Sequence, residues 1–163
     1  MSAAKAAETA HFTHVLPLRV YWEDTDAGGI VYYANYLKFI ERARSDMLRQ
    51  AGVNQESLRH EGVVFAVRHC SIDYLLPARL DDDISVHSRL MDLKGASLRA
   101  EQVVRRGKAE LARAEIRLAC IDQSGRACRI PATVREALRP FATLSPNLSP
   151  ISSSIANKEN NHG

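Results

Sequence analysis

Between positions 35 and 51 the apolar residues fall at helical spacing. Tyr36, Ile40, Ala43 and Met47 recur at intervals of four, three and four, which gathers them on one stripe, and Phe39 and Leu48 widen it. Asn35 is the expected N-cap and Gly52 the expected stop just past the last turn. Arg42, Arg44 and Arg49 lie off the stripe and are expected to face water. Elsewhere the period shortens to two. Val15 to Glu23 reads as a strand, with Pro17 near its start where an edge strand tolerates proline. Val63 to Leu76 is a second strand stopped by Pro77, and Ile84, Val86, Ser88 and Leu90 alternate with Ser85, His87, Arg89 and Met91 in a third. Leu98 to Arg106 is a fourth, between turns at Lys94-Gly95 and Gly107-Lys108. In the fifth, Ala112, Ala114, Ile116, Leu118 and Cys120 face one way and Arg113, Glu115 and Arg117 the other, as in an antiparallel strand with one wet face. After a turn at Asp122 to Arg126, a short helix to Leu138 opens at Pro131 or Ala132.

The order strand, long helix, then four closely spaced strands predicts an α+β fold in which the broad apolar face of the helix packs on an antiparallel sheet. It excludes a doubly wound parallel sheet, which needs alternating helices. Residues 14–141 form the expected domain, 1–13 a flexible N-terminus, and 142–163, rich in Ser, Asn and Pro, a disordered tail. A chain of 163 residues with 45% hydrophobic and 25% charged residues suits one soluble domain. The net charge of +3 is too small to indicate a nucleic-acid partner and is compatible with an anionic small ligand. Cys70, Cys120 and Cys128 are odd in number and not spaced as metal ligands, which fits buried thiols in a reducing compartment. Met1 to Phe12 holds no apolar signal core, and no apolar run approaches the roughly 20 residues that span a bilayer, so a cytoplasmic protein is expected.

The candidate chemistry is concentrated between Tyr21 and Tyr36. Glu23, Asp24 and Asp26 place three acids within four residues, where one would cap a turn. Gly28 and Gly29 follow, then Tyr32 and Tyr33, aromatic enough to wall a ligand, and then the helix. This order sets a carboxylate beside the unpaired N–H groups of a helix start, the pairing of base or nucleophile with oxyanion donor that acyl transfer needs. Asp24 is expected to make the turn by an Asx hydrogen bond, and Glu23 to be a solvent-facing strand-end charge. Glu41 is expected to pair with Arg42 and Arg44 or to face water. The histidines His11, His14, His60, His69, His87 and His162 are scattered without metal-ligand spacing, and no Ser-His-Asp set or phosphate loop competes with the turn. Lys94, Arg105, Arg106 and Lys108 surround the two hairpin turns, as phosphate-binding groups or as plain surface charge.

The run Asp24-Thr25-Asp26-Ala27-Gly28-Gly29-Ile30-Val31-Tyr32, with Asn35-Tyr36, Glu41-Arg42-Ala43-Arg44, Asp73-Tyr74, Pro77-Ala78 and Asp82-Asp83, resembles the 4-hydroxybenzoyl-CoA thioesterase family. Within it the chain is most similar to the YbgC-like acyl-CoA thioesterases associated with the Tol–Pal system, over residues 15 to 140. The resemblance implies a hotdog fold, a long central helix wrapped by a curved antiparallel sheet. It implies hydrolysis of acyl-CoA thioesters, of short, medium or aromatic acyl groups, without a cofactor or metal. The family's carboxylate falls on Asp26, as nucleophile or general base, and its oxyanion-binding backbone N–H on Tyr33. Gly29, Tyr32, Lys94, Arg105 and Arg106 are the candidate substrate-binding residues. The resemblance further implies homodimers or homotetramers with sites at the subunit interface, acting on acyl-CoA or an acyl carrier protein. YbgC-like members often carry His where this chain has Tyr33, a change that keeps the backbone donor. The alternative reading keeps the fold without catalysis, as an acyl-carrier or envelope-complex interaction module; a hydratase, which needs a close Asp and His pair, ranks last.

Overall fold

The computed structural model describes residues 12–142, so most of the expected loose N-terminus and tail lies outside the described residues. Five strands form one antiparallel sheet: β1 (His14–Arg19), β2 (Val63–Tyr74), β3 (Asp83–Leu93), β4 (Ser97–Arg106) and β5 (Ala109–Asp122), in the order β1-β3-β4-β5-β2. Three helices accompany it: α1 (Asn35–Gln50), α2 (Gln55–His60) and α3 (Ala132–Leu138). The α+β layout is the one the periodicities predict.

The α1 stripe accounts for this layout. Tyr36, Phe39, Ile40, Ala43, Met47 and Leu48 are all buried, against the inward sides of the central strands: Val86 and Leu90 from β3, Ala100 and Val104 from β4, Ala114 and Ile116 from β5. Burying each large apolar side chain contributes about 1.5–3 kcal/mol, so the stripe outweighs any intrinsic helix propensity. Gly52, at φ +83, stops the helix as expected, its N–H bonded to the Arg49 carbonyl at 3.0 Å. Register shifts at Val67/His69, Leu90/Asp92 and Val104/Arg105 are bulges that bend the strands round the helix.

β1 and β2 are the two edges, and they differ. Val20, just past β1, donates to the Asp82 carbonyl at 3.0 Å. The antiparallel alternation then turns the even positions of β1 toward β3 and position 17 outward, so Pro17 removes a donor from the open side. β2 is twelve residues long, has no proline, and exposes Val64, Val67 and Tyr74. The connection from β2 to β3 crosses the end of the β4–β5 hairpin: Leu75 and Leu76 donate to the Leu111 carbonyl at 2.8 and 3.1 Å, and Ala78 is fully buried.

Four expectations change. The first strand ends at Arg19, and Trp22–Asp24 form a 3-10 turn. Ala34, not Asn35, is the N-cap of α1. α2 follows the Gly52 stop, capped by Asn54, whose Oδ1 accepts from the Ser57 N–H at 3.0 Å. Arg44 is half-buried, donating to Gln102 Oε1 at 3.0 Å, while Arg42 and Arg49 are exposed. Gln102 itself donates to the Ile40 carbonyl at 2.8 Å and Ser88 Oγ at 2.9 Å, fixing a polar layer between α1 and the sheet.

Phe39 is 1% exposed, at the centre of the stripe. Phe39→Ala is expected to lower the unfolding free energy by about 3–5 kcal/mol, read from the midpoint of denaturant unfolding at unchanged m-value.

Candidate active site

The turn between β1 and α1 is built around a buried carboxylate. Asp24 Oδ2 accepts from the Tyr21 N–H at 2.9 Å and its Oδ1 from Asn35 Nδ2 at 3.1 Å, while its backbone carbonyl accepts from the Tyr32 N–H at 2.9 Å. One residue therefore joins the exit of β1, the far side of the turn and the first residue of α1. This explains why Asn35 is buried rather than capping: its amide is spent on Asp24. A carboxylate is needed because both of its oxygens accept.

Asp26 is the exposed partner of this arrangement, and it makes the Asx turn expected of Asp24. Its Oδ1 accepts from the Gly28 N–H at 2.8 Å, its N–H donates to the Ile30 carbonyl at 2.9 Å, and its carbonyl accepts from the Gly29 N–H at 3.0 Å. A Cβ at Gly28 would lie 3.1 Å from Asp26 Oδ1, and Gly29 sits at φ +73, so each glycine is required for its own reason. One carboxylate oxygen is thus held, and the other has no protein partner among the described residues. The tip is anchored by the bridges Thr25–Val31 and Ile30–Arg79, and by the Val31 N–H on the Ala78 carbonyl at 2.9 Å.

Beside the turn is an open cleft of about 320 Å³ lined by Ile30, Val31, Tyr33, Tyr36, Tyr74 and the Leu75–Pro77 segment. Three tyrosines meet in its aliphatic wall, Tyr36 and Tyr74 edge to face at 5.5 Å and Tyr33 and Tyr74 at 6.2 Å, and Tyr32 packs on Tyr33 at 4.9 Å from outside the lining. The Tyr74 hydroxyl donates to the Tyr33 carbonyl at 2.9 Å, and the Tyr36 hydroxyl accepts from the Ala78 N–H at 3.0 Å, which fixes both rings. The Tyr33 N–H, two residues before α1, has no acceptor among the described residues. Tyr32 is held neutral beyond the ordinary phenol range, first by its hydrogen bond with Tyr33, with the nearby Asp26 charge adding to the effect. Burial pushes the Tyr36 and Tyr74 phenols the same way. Asp26 is not among the residues lining the cleft; it is joined to it through its N–H on the Ile30 carbonyl.

The basic residues do not form one cluster. Lys94 follows β3, at the opposite end of β4 from Arg105 and Arg106, about 30 Å away at strand rise. The two hairpin turns are close in sequence, but consecutive turns of a meander open at opposite ends. Lys94 lies 3.5 Å from Asp92, and Arg105 donates to Glu110 at 3.0 Å. Arg106 alone of the three reaches the cleft wall, with Asp82 at 2.5 Å and the Pro77 carbonyl at 3.4 Å. Glu41 makes no ion pair with Arg42 or Arg44, and His69 is exposed on β2. Among the described residues no group of three or more His, Cys, Asp or Glu could hold a metal ion, and no helix is long and apolar enough to cross a membrane. The Asp24–Asn35 clamp and the Tyr74 contact leave no mark in the sequence, because no local pattern signals a bond between residues eleven or more apart.

The thioesterase-like superfamily model matches residues 20–138. The acyl-CoA thioester hydrolase YbgC of Escherichia coli O6:H1 is 43% identical over 107 residues, 65% of this chain and 80% of the relative. The acyl-CoA thioesterase YbgC of Haemophilus influenzae is 44% identical over 107 residues, 65% of this chain and 79% of its own. Among solved structures, a probable thioesterase from Bartonella henselae superposes with a TM-score of 0.69 at 37% identity, over 72% of this chain and 98% of the other. The gentisyl-coenzyme A thioesterase BH1999 does so with a TM-score of 0.70 at 26% identity, over 76% and 98%.

Asp24→Ala, which removes both acceptors, is expected to cost about 1–3 kcal/mol of stability and to unlock the turn. Loss of protection at the Tyr21 and Tyr32 amides in hydrogen exchange, with the α1 amides unchanged, checks it.

Proposed function

The chain belongs to the thioesterase-like superfamily, with the hotdog fold of its relatives, and from that premise we propose that it hydrolyses acyl-CoA thioesters at the Asp26 turn. The observation that carries the reading is the half-held Asp26 carboxylate: one oxygen is fixed by Gly28 and the other is free, on a turn bonded to Ile30, which lines the apolar cleft. The free oxygen either attacks the thioester carbonyl, giving an anhydride that water then cleaves, or takes the proton of a water that attacks instead. Both routes give a tetrahedral oxyanion and expel the coenzyme A thiolate, which takes up a proton from solvent. The Tyr33 N–H is the donor we assign to that oxyanion, strengthened by the dipole of α1. Thiolate leaves readily, so a site without a strong general acid suffices.

The acyl group occupies the apolar cleft, and Tyr32 and Gly29, on the turn beside it, are assigned to the substrate. Arg106 is placed to meet the anionic carrier, since it already reaches the Pro77 wall; Lys94 and Arg105 face elsewhere. The unpaired β2 edge, with Val64, Val67, Tyr74, Leu75 and Leu76 exposed along it, supports a homodimer that pairs these edges and closes the open side of the cleft.

Thiol release from a panel of acyl-CoAs tests the reading. Asp26→Asn keeps the size and the turn while removing the charge, and is expected to lower kcat/KM at least ~100-fold at unchanged thermal midpoint. Equal rates in the two proteins would remove Asp26 from the site, and no release by the folded wild type on any substrate would leave the fold as a binding module.

A further inference from the structure

One flank of α1 carries Tyr36, Glu41, Arg44 and Leu48, and it faces one side of β2. The bulge at Val67/His69 puts Phe65, Val67, Cys70, Ile72 and Tyr74 on that same side. The two elements run antiparallel. At one end the Tyr36 and Tyr74 rings meet at 5.5 Å, in the cleft already described. At the other is a second, more enclosed cavity of about 110 Å³, lined by Glu41, Arg44, Leu48, Phe65, Val67 and Leu118. Cys70 lies between, close enough to be felt by both the Tyr74 phenol and the Arg44 guanidinium. Tyr36 and Arg44 are eight residues apart, about 12 Å along a helix. Cleft and cavity lie at the two ends of the same α1–β2 seam, with no lining residue in common.

Resting on the thioesterase reading above, we propose that the Arg44 cavity is the distal end of the acyl site and selects acyl chains that end in a carboxylate. The walls are apolar except at Arg44 and its neighbours Glu41, Ser45 and Gln55. Arg44 makes one hydrogen bond, Nη1 to Gln102 Oε1 at 3.0 Å, and Gln102 is itself fixed by the Ile40 carbonyl and Ser88, so the guanidinium has a set direction. Among the described residues no carboxylate lies within 4.0 Å of it, and its remaining N–H groups have no protein acceptor. Burial works against its charge, and Glu41, one turn back, offsets this in part without pairing. A half-buried cation without a counter-ion is costly, and a carboxylate entering the cavity would give it a bidentate partner. In this proposal the methylenes of a medium-length dicarboxylic acyl group lie along the seam between α1 and β2, over Ile72. Glu41 lines the same cavity and opposes a second carboxylate, so it tunes the preference downward.

The test compares kcat/KM of the full chain on pairs of equal length: adipyl- against hexanoyl-CoA, and suberyl- against octanoyl-CoA. The wild type is expected to favour the dicarboxylic member by roughly tenfold or more, the scale of one charge-assisted hydrogen bond. Arg44→Gln should bring that ratio near one through the KM of the dicarboxylic substrate, with the monocarboxylic substrate changed far less. Glu41→Gln should raise the ratio. A wild-type ratio near or below one, or a ratio untouched by Arg44→Gln in a folded protein, overturns the proposal. If Arg44→Gln does not fold, Glu41→Gln decides, and an unchanged ratio overturns it. Hydrolysis of the monocarboxylic thioesters without this preference would sink the Arg44 assignment and leave the thioesterase reading standing; no hydrolysis of any member would sink both.

Discussion

A sixteen-residue helix with six buried apolar side chains has to be covered, and this constraint organises the molecule. One antiparallel sheet covers it because the inward positions of β3, β4 and β5 are small or branched, and the bulges let the strands bend round the helix. The cover is asymmetric. The central strands meet α1 closely, while β2 stands off from it and leaves a groove. The crossover from β2 to β3 then has to pass the helix start, and so brings Leu75, Leu76 and Pro77 beside the turn that carries Asp26.

Within that frame the two aspartates of the turn divide the labour by burial. Asp24 is buried and saturated, with both carboxylate oxygens and the carbonyl engaged. Asp26, two residues on, is exposed and half engaged. The same side chain is a structural pin where its acceptors are filled and a candidate reagent where one remains free. Rigidity comes from the first, so the second can sit at a loop tip without losing its direction.

How much of this the sequence shows depends on whether the deciding contact is local. The α1 stripe and the alternation along β3 and β5 are legible because periodicity records burial directly. Tyr21 and Trp22 are strand formers, so the sequence reads as strand as far as Glu23, yet they are 60% and 79% exposed and have no strand partner. Propensity there yielded to the Asp24 turn. Asn35 has the right residue type for a cap, but its partner is a carboxylate eleven residues back. Arg44 lies off the apolar stripe, yet it is half-buried, because its guanidinium reaches Gln102 on β4 rather than water. The grouping of Lys94 with Arg105 and Arg106 failed because sequence adjacency of hairpins hides which end of the sheet each occupies. The Asp26–Gly29 turn itself is local, and the positions of its acid and glycines are legible in the chain.

The two sheet edges carry one more consequence. Position 17 removes an outward donor at β1, a six-residue edge, whereas β2 offers twelve residues without proline, broken only by the Val67/His69 bulge. β1 is therefore the poorer of the two edges for strand addition. When the added strand is the β2 of another copy, the new outer edge on either side is again a β1 with its proline. Such a pairing would leave only the two proline-bearing edges outward, which disfavours running on into a fibre.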